Sequence, residues 1–212
     1  MKTILCYGDS NTFGYIPAGG GARYPREVRW TALLQKALGD RAEVISEGLP
    51  GRTTVYDRID APWKNGLPYL RPCLRSHEPL DMVVFMLGTN DCNIELGITA
   101  QESAAGLETL LTLAEEETLG RQGYIPQFVI IVPAAIRTAM EDGKCVYKID
   151  KSSVEKSRAL APLYRQLAEK HRCLFLDGTD RFEVSEVDCE HLTEKGHRQL
   201  AEALYGLIKD IV

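Results

Sequence analysis

A serine directly after a buried apolar run, and a histidine three residues after an aspartate near the other end of the chain, are the parts of a nucleophile and its base. The serine is Ser10, in Gly8-Asp9-Ser10-Asn11, following the apolar residues 2–7 (KTILCY). The histidine is His191, in Asp188-Cys189-Glu190-His191. A serine hydroxyl is a weak nucleophile until a base takes its proton. The i, i+3 spacing lets the Asp188 carboxylate hold the His191 ring in one tautomer and stabilise its imidazolium. Two further segments offer hydrogen-bond donors: Gly48-Leu49-Pro50-Gly51-Arg52-Thr53-Thr54 and Gly88-Thr89-Asn90-Asp91. The N–H groups of Ser10 and Gly48 and the side chain of Asn90 are expected to face the carbonyl oxygen as an oxyanion hole. Asp9, Asn11 and Arg52 stand beside these groups and are expected to contact substrate.

Each segment alone is a weak signal. Gly-Asp-Ser is a common turn, glycine-rich loops are mostly turns, and an Asn after a strand usually serves its own backbone. A lone Asp-x-x-His is more often a surface pair or a cap. The order of the segments carries the argument, because each follows a predicted strand and together they supply every part of an acyl-transfer site. The chain has four histidines. His171 and His197 lie in helix-like, charge-rich contexts and read as surface residues; His191, at a helix entrance after a strand, is the best base candidate.

The elements that must position these residues alternate along the chain. Strands are expected at 2–7, 42–46, 81–87, 127–132 and 173–176, and helices at 28–38, 99–119, 152–171 and 193–211. The run at 81–87 (DMVVFML) is continuous enough to be buried on both faces. Thr99 with Glu102 fits a capping box; Ser152 or Ser153, and Thr193, are the expected caps of the last two helices. Strand–helix alternation implies a parallel sheet with helices on both faces, in one domain spanning 1–212. Open sheets of this kind bind ligands beyond the strands' C-terminal ends. The irregular segments 15–27 and 133–151 follow strands and are candidate pocket walls. Arg52, Arg137 and Lys144 are the cations expected near the pocket mouth.

Composition narrows the partners. A hydrophobic fraction of 44% and a charged fraction of 26% suit a normal core. The formal net charge of −5, without any basic run, disfavours nucleic acid. Glu115, Glu116 and Glu117 read as a solvated helix face. The apolar run Ile4 to Tyr7 is too short for a secretory signal, and no stretch approaches the ~20 apolar residues of a membrane span. The expectation is a soluble, cytoplasmic protein with no membrane contact. Six cysteines are present, with no C-x-x-C pair. They read as free thiols, with Cys92 and Cys189 near the site.

The same residues resemble a known family. Gly8-Asp9-Ser10, Gly48, Gly88-x-Asn90-Asp91 and Asp188-x-x-His191 look like the four blocks of the SGNH/GDSL hydrolases. Val28-Arg29-Trp30-Thr31, Glu47-Gly48-Leu49 with Arg52-Thr53-Thr54, Cys73-Leu74 ahead of His77, and Pro79-Leu80-Asp81 are similar to the bacterial oligomeric arylesterase and acyltransferase branch. The resemblance implies a three-layer α/β/α flavodoxin-like fold with a five-stranded parallel sheet. It implies hydrolysis of short acyl esters, including acetylated sugars, without cofactor or metal. It also implies a closed homo-oligomer such as an octamer. The chain departs from the pattern at Ser46, at Asn11 and at Cys189-Glu190; Glu190 is expected to raise the pKa of His191. The segment 137–150 has no clear counterpart.

Other readings stay open at this point. Asp9-Ser10-Asn11-Thr12 could cradle the phosphate of a flavin mononucleotide. Asp9, Asp91, Asp188 and His191 could hold the metal of a phosphoesterase. A scaffold that has kept the fold without the chemistry is the third.

Overall fold

The computed structural model describes residues 1–137 and 149–212. Five parallel strands form one sheet in the order β2-β1-β3-β4-β5. They are β1 (Lys2–Gly8), β2 (Ala42–Gly48), β3 (Met82–Met86), β4 (Gln127–Val132) and β5 (Leu174–Asp177). The helices are α1 (Ser10–Phe13), α2 (Trp30–Leu38), α3 (Gly66–His77), α4 (Ala100–Gln122), α5 (Lys151–Lys170) and α6 (Glu194–Ile208). This is the expected three-layer α/β/α architecture. Lys144, Cys145 and most of the 137–150 segment lie outside the described residues.

Side chains alternate across a strand, so each strand feeds two cores. Leu5 and Tyr7, Val83 and Phe85, and Phe128 and Ile130 pack under α3, α4 and α5. Ile4 and Cys6, Met82 and Val84, and Val129 and Ile131 pack under α2 and α6. The chain leaves β1 over one face, through α2 to β2. It then crosses behind β1 through α3 to β3, on the other face. The sheet therefore changes winding direction between β1 and β3, and a crevice opens at the carboxyl ends of those two strands.

The long helices α4, α5 and α6 begin within a residue of where the sequence predicts. Thr99 and Glu102 form the reciprocal capping box of α4, a feature worth about 1 kcal/mol. Thr193 caps α6 through Gly196 N–H. The cap of α5 is Asp150 rather than Ser152 or Ser153, because its carboxylate reaches both serine N–H groups. Helix α3 is an addition to the expected elements. Pro68 in its first turn and Pro72 inside it mask the helical pattern, but Asn65 caps its start and Leu70, Cys73 and Leu74 are buried. Two surface assignments are corrected. His197 is fully buried, its Nδ1 accepting from Trp30 N–H at 3.4 Å. Glu117 is buried too, paired with Arg71 and Arg75.

Gly48 is the tightest point of the sheet edge. It pairs in register with Gly8, and a methyl group there would overlap the Thr12–Phe13 backbone of α1. Backbone cannot swing aside as a flexible side chain does. Gly48→Ala should therefore lower the unfolding free energy by about 3 kcal/mol, at the top of the usual overpacking range. Gly206→Ala, whose methyl meets open space on α6, is the control and should be neutral or stabilising. Urea denaturation of both variants checks this; equal midpoints would refute the packing argument.

Candidate active site

Ser10 is the first residue of a short helix set directly on the end of β1. Asp9 caps it, its carboxylate accepting the Asn11 N–H at 2.9 Å. Gly8 permits the turn, since a side chain there would collide with Thr12 and the Met86 carbonyl. Asn11 then reaches across the crevice. Its amide nitrogen donates to the Glu190 carbonyl at 3.1 Å, and its amide oxygen accepts the Leu192 N–H at 2.9 Å. The two residues flanking His191 are thus held by the residue beside Ser10. Trp30 completes the clamp by donating Nε1–H to the Asn11 carbonyl at 3.1 Å.

Held in this way, His191 places Nε2 2.9 Å from Ser10 Oγ and Nδ1 2.8 Å from Asp188 Oδ2. Asp188 also accepts N–H bonds from Ala18 at 3.0 Å and from His191 itself at 3.2 Å. Cys189 adopts a left-handed conformation, φ 67°, which folds this loop tightly enough for Asp188 and His191 to meet. The Tyr15 ring stacks on the imidazole with centroids 4.5 Å apart. Burial opposes a charge on His191, but the Asp188 hydrogen bond and the nearby charges of Glu190, Asp188 and Asp9 outweigh it and raise its pKa. Burial alone would raise the Asp188 carboxyl; the hydrogen bond and charge of His191 hold it below its ordinary value. Glu190 Oε1 lies 3.8 Å from His191 Nδ1, and burial pushes this carboxyl up to about 7.

The facing wall is built by the β2 and β3 loops. Asp91 accepts the Thr54 N–H and the hydroxyls of Thr54 and Ser103, at 2.9, 2.6 and 2.7 Å. These bonds lock the segment after Gly51 to the turn that carries Asn90. The Asn90 side-chain amide donates to the Arg52 carbonyl at 3.0 Å, which orients it beside Ser10. The resulting cleft, about 270 Å³, is lined by Ser10, Gly51, Asn90 and His191, with Tyr15, Arg58, Lys64 and Glu190 among the surrounding residues.

Four of the expected site residues fall elsewhere. Gly48 lies within the sheet against α1, outside the cleft lining; Gly51, three residues on with φ 82°, lies in the cleft instead. The first glycine after the strand-like run drew the sequence reading, but the register shows β2 still paired at Gly48. Arg52 is buried, with Nη1 donating to the Gly8 carbonyl at 2.8 Å and to the Glu47 carbonyl. Its guanidinium lies 4.1 Å above the Tyr7 ring. Asp9 and Asn11 are also buried and face the turn and the His191 loop. All three organise the site from behind rather than line the cleft. Phe13 and Trp30 are outside the cleft lining as well; Tyr15 is the aromatic wall. Cys92 and Cys189 are buried and do not line it. Arg58, Lys64 and Asn93 were not anticipated: none belongs to the motifs, although Asn93 closely follows Gly88-Thr89-Asn90-Asp91.

The donors of the metal-site reading are already engaged. Asp91 and Asp188 are satisfied by the N–H, O–H and imidazole groups described above. Among the described residues, one group of three metal-ligand side chains converges, Glu47, Cys73 and His77. It lies outside the cleft lining, and there His77 Nε2 pairs with Glu47 at 2.9 Å.

With this geometry in view, residues 6–199 match the GDSL-like Lipase/Acylhydrolase family. The chain belongs to that family. Membership makes it a carboxylic ester hydrolase. A carbohydrate acetylesterase family member from Sinorhizobium meliloti is similar at 38% identity and a TM-score of 0.90, over 99% of this chain and 98% of its own. Est24, a carbohydrate acetylesterase from the same organism, is 32% identical with a TM-score of 0.91, each chain covered fully. The M. smegmatis aryl esterase is 34% identical with a TM-score of 0.90, again over both full chains. Among curated proteins, none matches the chain in sequence. No helix among the described residues is long and apolar enough to cross a membrane.

With His191 in the base role expected from the sequence, activity should fall as pH drops through its raised pKa, because only the neutral ring accepts a proton. The acid limb of kcat/KM is therefore expected above the ordinary histidine value. Glu190→Gln removes one of the charges that raise it and should move the limb to lower pH. A pH–rate profile of the two proteins checks this; superimposable limbs would remove Glu190 from the account.

Proposed function

We propose that this chain is a serine esterase acting on short-chain esters, acetyl and aryl esters and acetylated sugars among them, through an acyl-serine intermediate. The observation that carries the reading is the continuous hydrogen-bonded chain from Ser10 through His191 to Asp188 at the floor of the cleft. Ser10 Oγ attacks the ester carbonyl while His191 Nε2 takes its proton. Negative charge develops on the carbonyl oxygen, towards the N–H groups of Ser10 and Gly51 and the side-chain amide of Asn90. Such donors, fixed before the reaction, need no reorganisation as charge appears. Asp188 stabilises the imidazolium. The intermediate collapses, the C–O bond breaks, and the alkoxide takes the proton held by His191. Water then attacks the acyl-Ser10 ester with His191 again as base, releasing the acid and restoring the Ser10 hydroxyl.

The small cleft and the Tyr15 wall support a short acyl group. The names borne by similar structures support acetyl and aryl esters. A second alcohol, or peroxide, occupying the place of water would turn hydrolysis into acyl transfer, and the partial burial of the site supports that side activity. Exposed Trp63 and Tyr69, which line one surface groove, support a homo-oligomer that covers them.

Hydrolysis of p-nitrophenyl acetate in EDTA tests the reading. Wild type should turn over, Ser10→Ala should fall to background, and denatured wild type quenched during turnover should carry an acetyl group on Ser10 by mass spectrometry. Asn90→Ala should lose roughly 100- to 1000-fold in kcat, the usual cost of one oxyanion donor. Undiminished turnover by Ser10→Ala would overturn the mechanism; activity that requires added Mn²⁺ would favour a phosphoesterase.

A further inference from the structure

The rim of the Ser10 cleft carries charge opposite to that of the chain as a whole. The formal net charge is −5, yet among the described residues the lysine and arginine side chains lining the cleft are Arg58 and Lys64, beside one carboxylate, Glu190. Burial pushes the Glu190 carboxyl up to about 7. Arg58 faces carboxylates of its own, Asp60 at 3.4 Å and Glu95 at 3.8 Å. Lys64 differs. Among the described residues, no carboxylate lies within 4.0 Å of its Nζ, and Asp60, paired with Arg58, acts on it only at longer range.

Lys64 is also held in place. Its N–H donates to the Ala61 carbonyl and its carbonyl accepts the Thr53 N–H, both at 3.0 Å. Its side chain lies across Gly51, so that a methyl group added to Gly51 would sit 2.9 Å from Nζ. Ser10 and His191 are buried at the floor, whereas Lys64 and Arg58 are partly exposed nearer solvent. A short acyl group is used up at the floor, so the alcohol half of an ester extends towards the rim.

We propose that Lys64, backed by Arg58, forms an anion subsite for the alcohol half, and that the favoured substrates are acyl esters of alcohols bearing a carboxylate. This rests on the serine-esterase reading of the same cleft. A partly desolvated ammonium attracts such a group more strongly than a surface lysine does, and a positive rim on an acidic protein draws anions towards the site.

The test compares 4-acetoxybenzoate with the uncharged 4-acetoxybenzamide. Wild type should favour the anion about tenfold in kcat/KM, as for one charge-assisted contact. Lys64→Met should bring that ratio close to one, Lys64→Arg should retain most of it, and raising the salt concentration should shrink it. Calorimetric binding of the products, 4-hydroxybenzoate against 4-hydroxybenzamide, reads the subsite without turnover and should show the same preference and the same loss in Lys64→Met. Turnover of both esters with a ratio near one, or a ratio unchanged by Lys64→Met, overturns the subsite and leaves the esterase standing. Preferential binding of the benzoate product without turnover of either ester upholds the subsite and overturns the esterase.

Discussion

Two hydrogen bonds from one side chain hold this site together. Asn11 donates to the Glu190 carbonyl and accepts from Leu192 N–H, so the loop carrying His191 is fastened to the turn carrying Ser10. Ser10 and His191, the nucleophile and base of the proposed mechanism, are 181 residues apart in the chain. Bringing such distant segments into contact costs loop-closure and side-chain entropy. A catalytic hydrogen bond to a mobile histidine would recover little of that cost. Bonding the backbone on both sides of His191 fixes the ring's approach before Asp188 selects its tautomer.

The same economy appears on the facing wall. Asp91, buried and accepting three hydrogen bonds, joins the loop after Gly51 to the turn carrying Asn90. Arg52 spends its guanidinium on the carbonyls of Gly8 and Glu47, at the ends of β1 and β2. Buried polar groups cost free energy unless satisfied; Asn11, Asp91 and Arg52 Nη1 find partners here, whereas among the described residues Arg52 Nε and Thr89 Oγ1 find none. Burial pushes Asp9 and Asp91 up to about 6, so their hydrogen bonds offset part of a real desolvation cost. The polar scaffold behind the site and the chemistry in front of it are distinct sets of residues, although they alternate along the sequence.

The sheet explains why these loops meet at all. With β1 between β2 and β3, the chain winds one way before the centre and the other way after it. The loops that follow β1 and β3 diverge to opposite faces and leave a crevice between them. Ser10 and Asn90 sit at its two lips, and Gly51 enters from the neighbouring strand.

Local sequence determined a great deal here. Apolar runs marked β1, β3, β4 and β5, since buried parallel strands are continuous in hydrophobicity, and the short stretch 42–46 marked β2 at the sheet edge. The Thr99–Glu102 box marked the start of α4, because capping involves only near neighbours. The order of Ser10, Asn90, Asp188 and His191 after those strands pointed to acyl transfer. Tertiary structure decided what depends on contacts between distant residues. Pro68 and Pro72 hid α3, whose stability comes from the core beneath it. Register kept Gly48 in the sheet and put Gly51 in the cleft. Asp9, Asn11 and Arg52 turned out to be supports, and His197 to be buried. A residue's type announces what its atoms are able to do; whether they face substrate, solvent or the backbone behind the site is set by packing between segments that no local pattern connects.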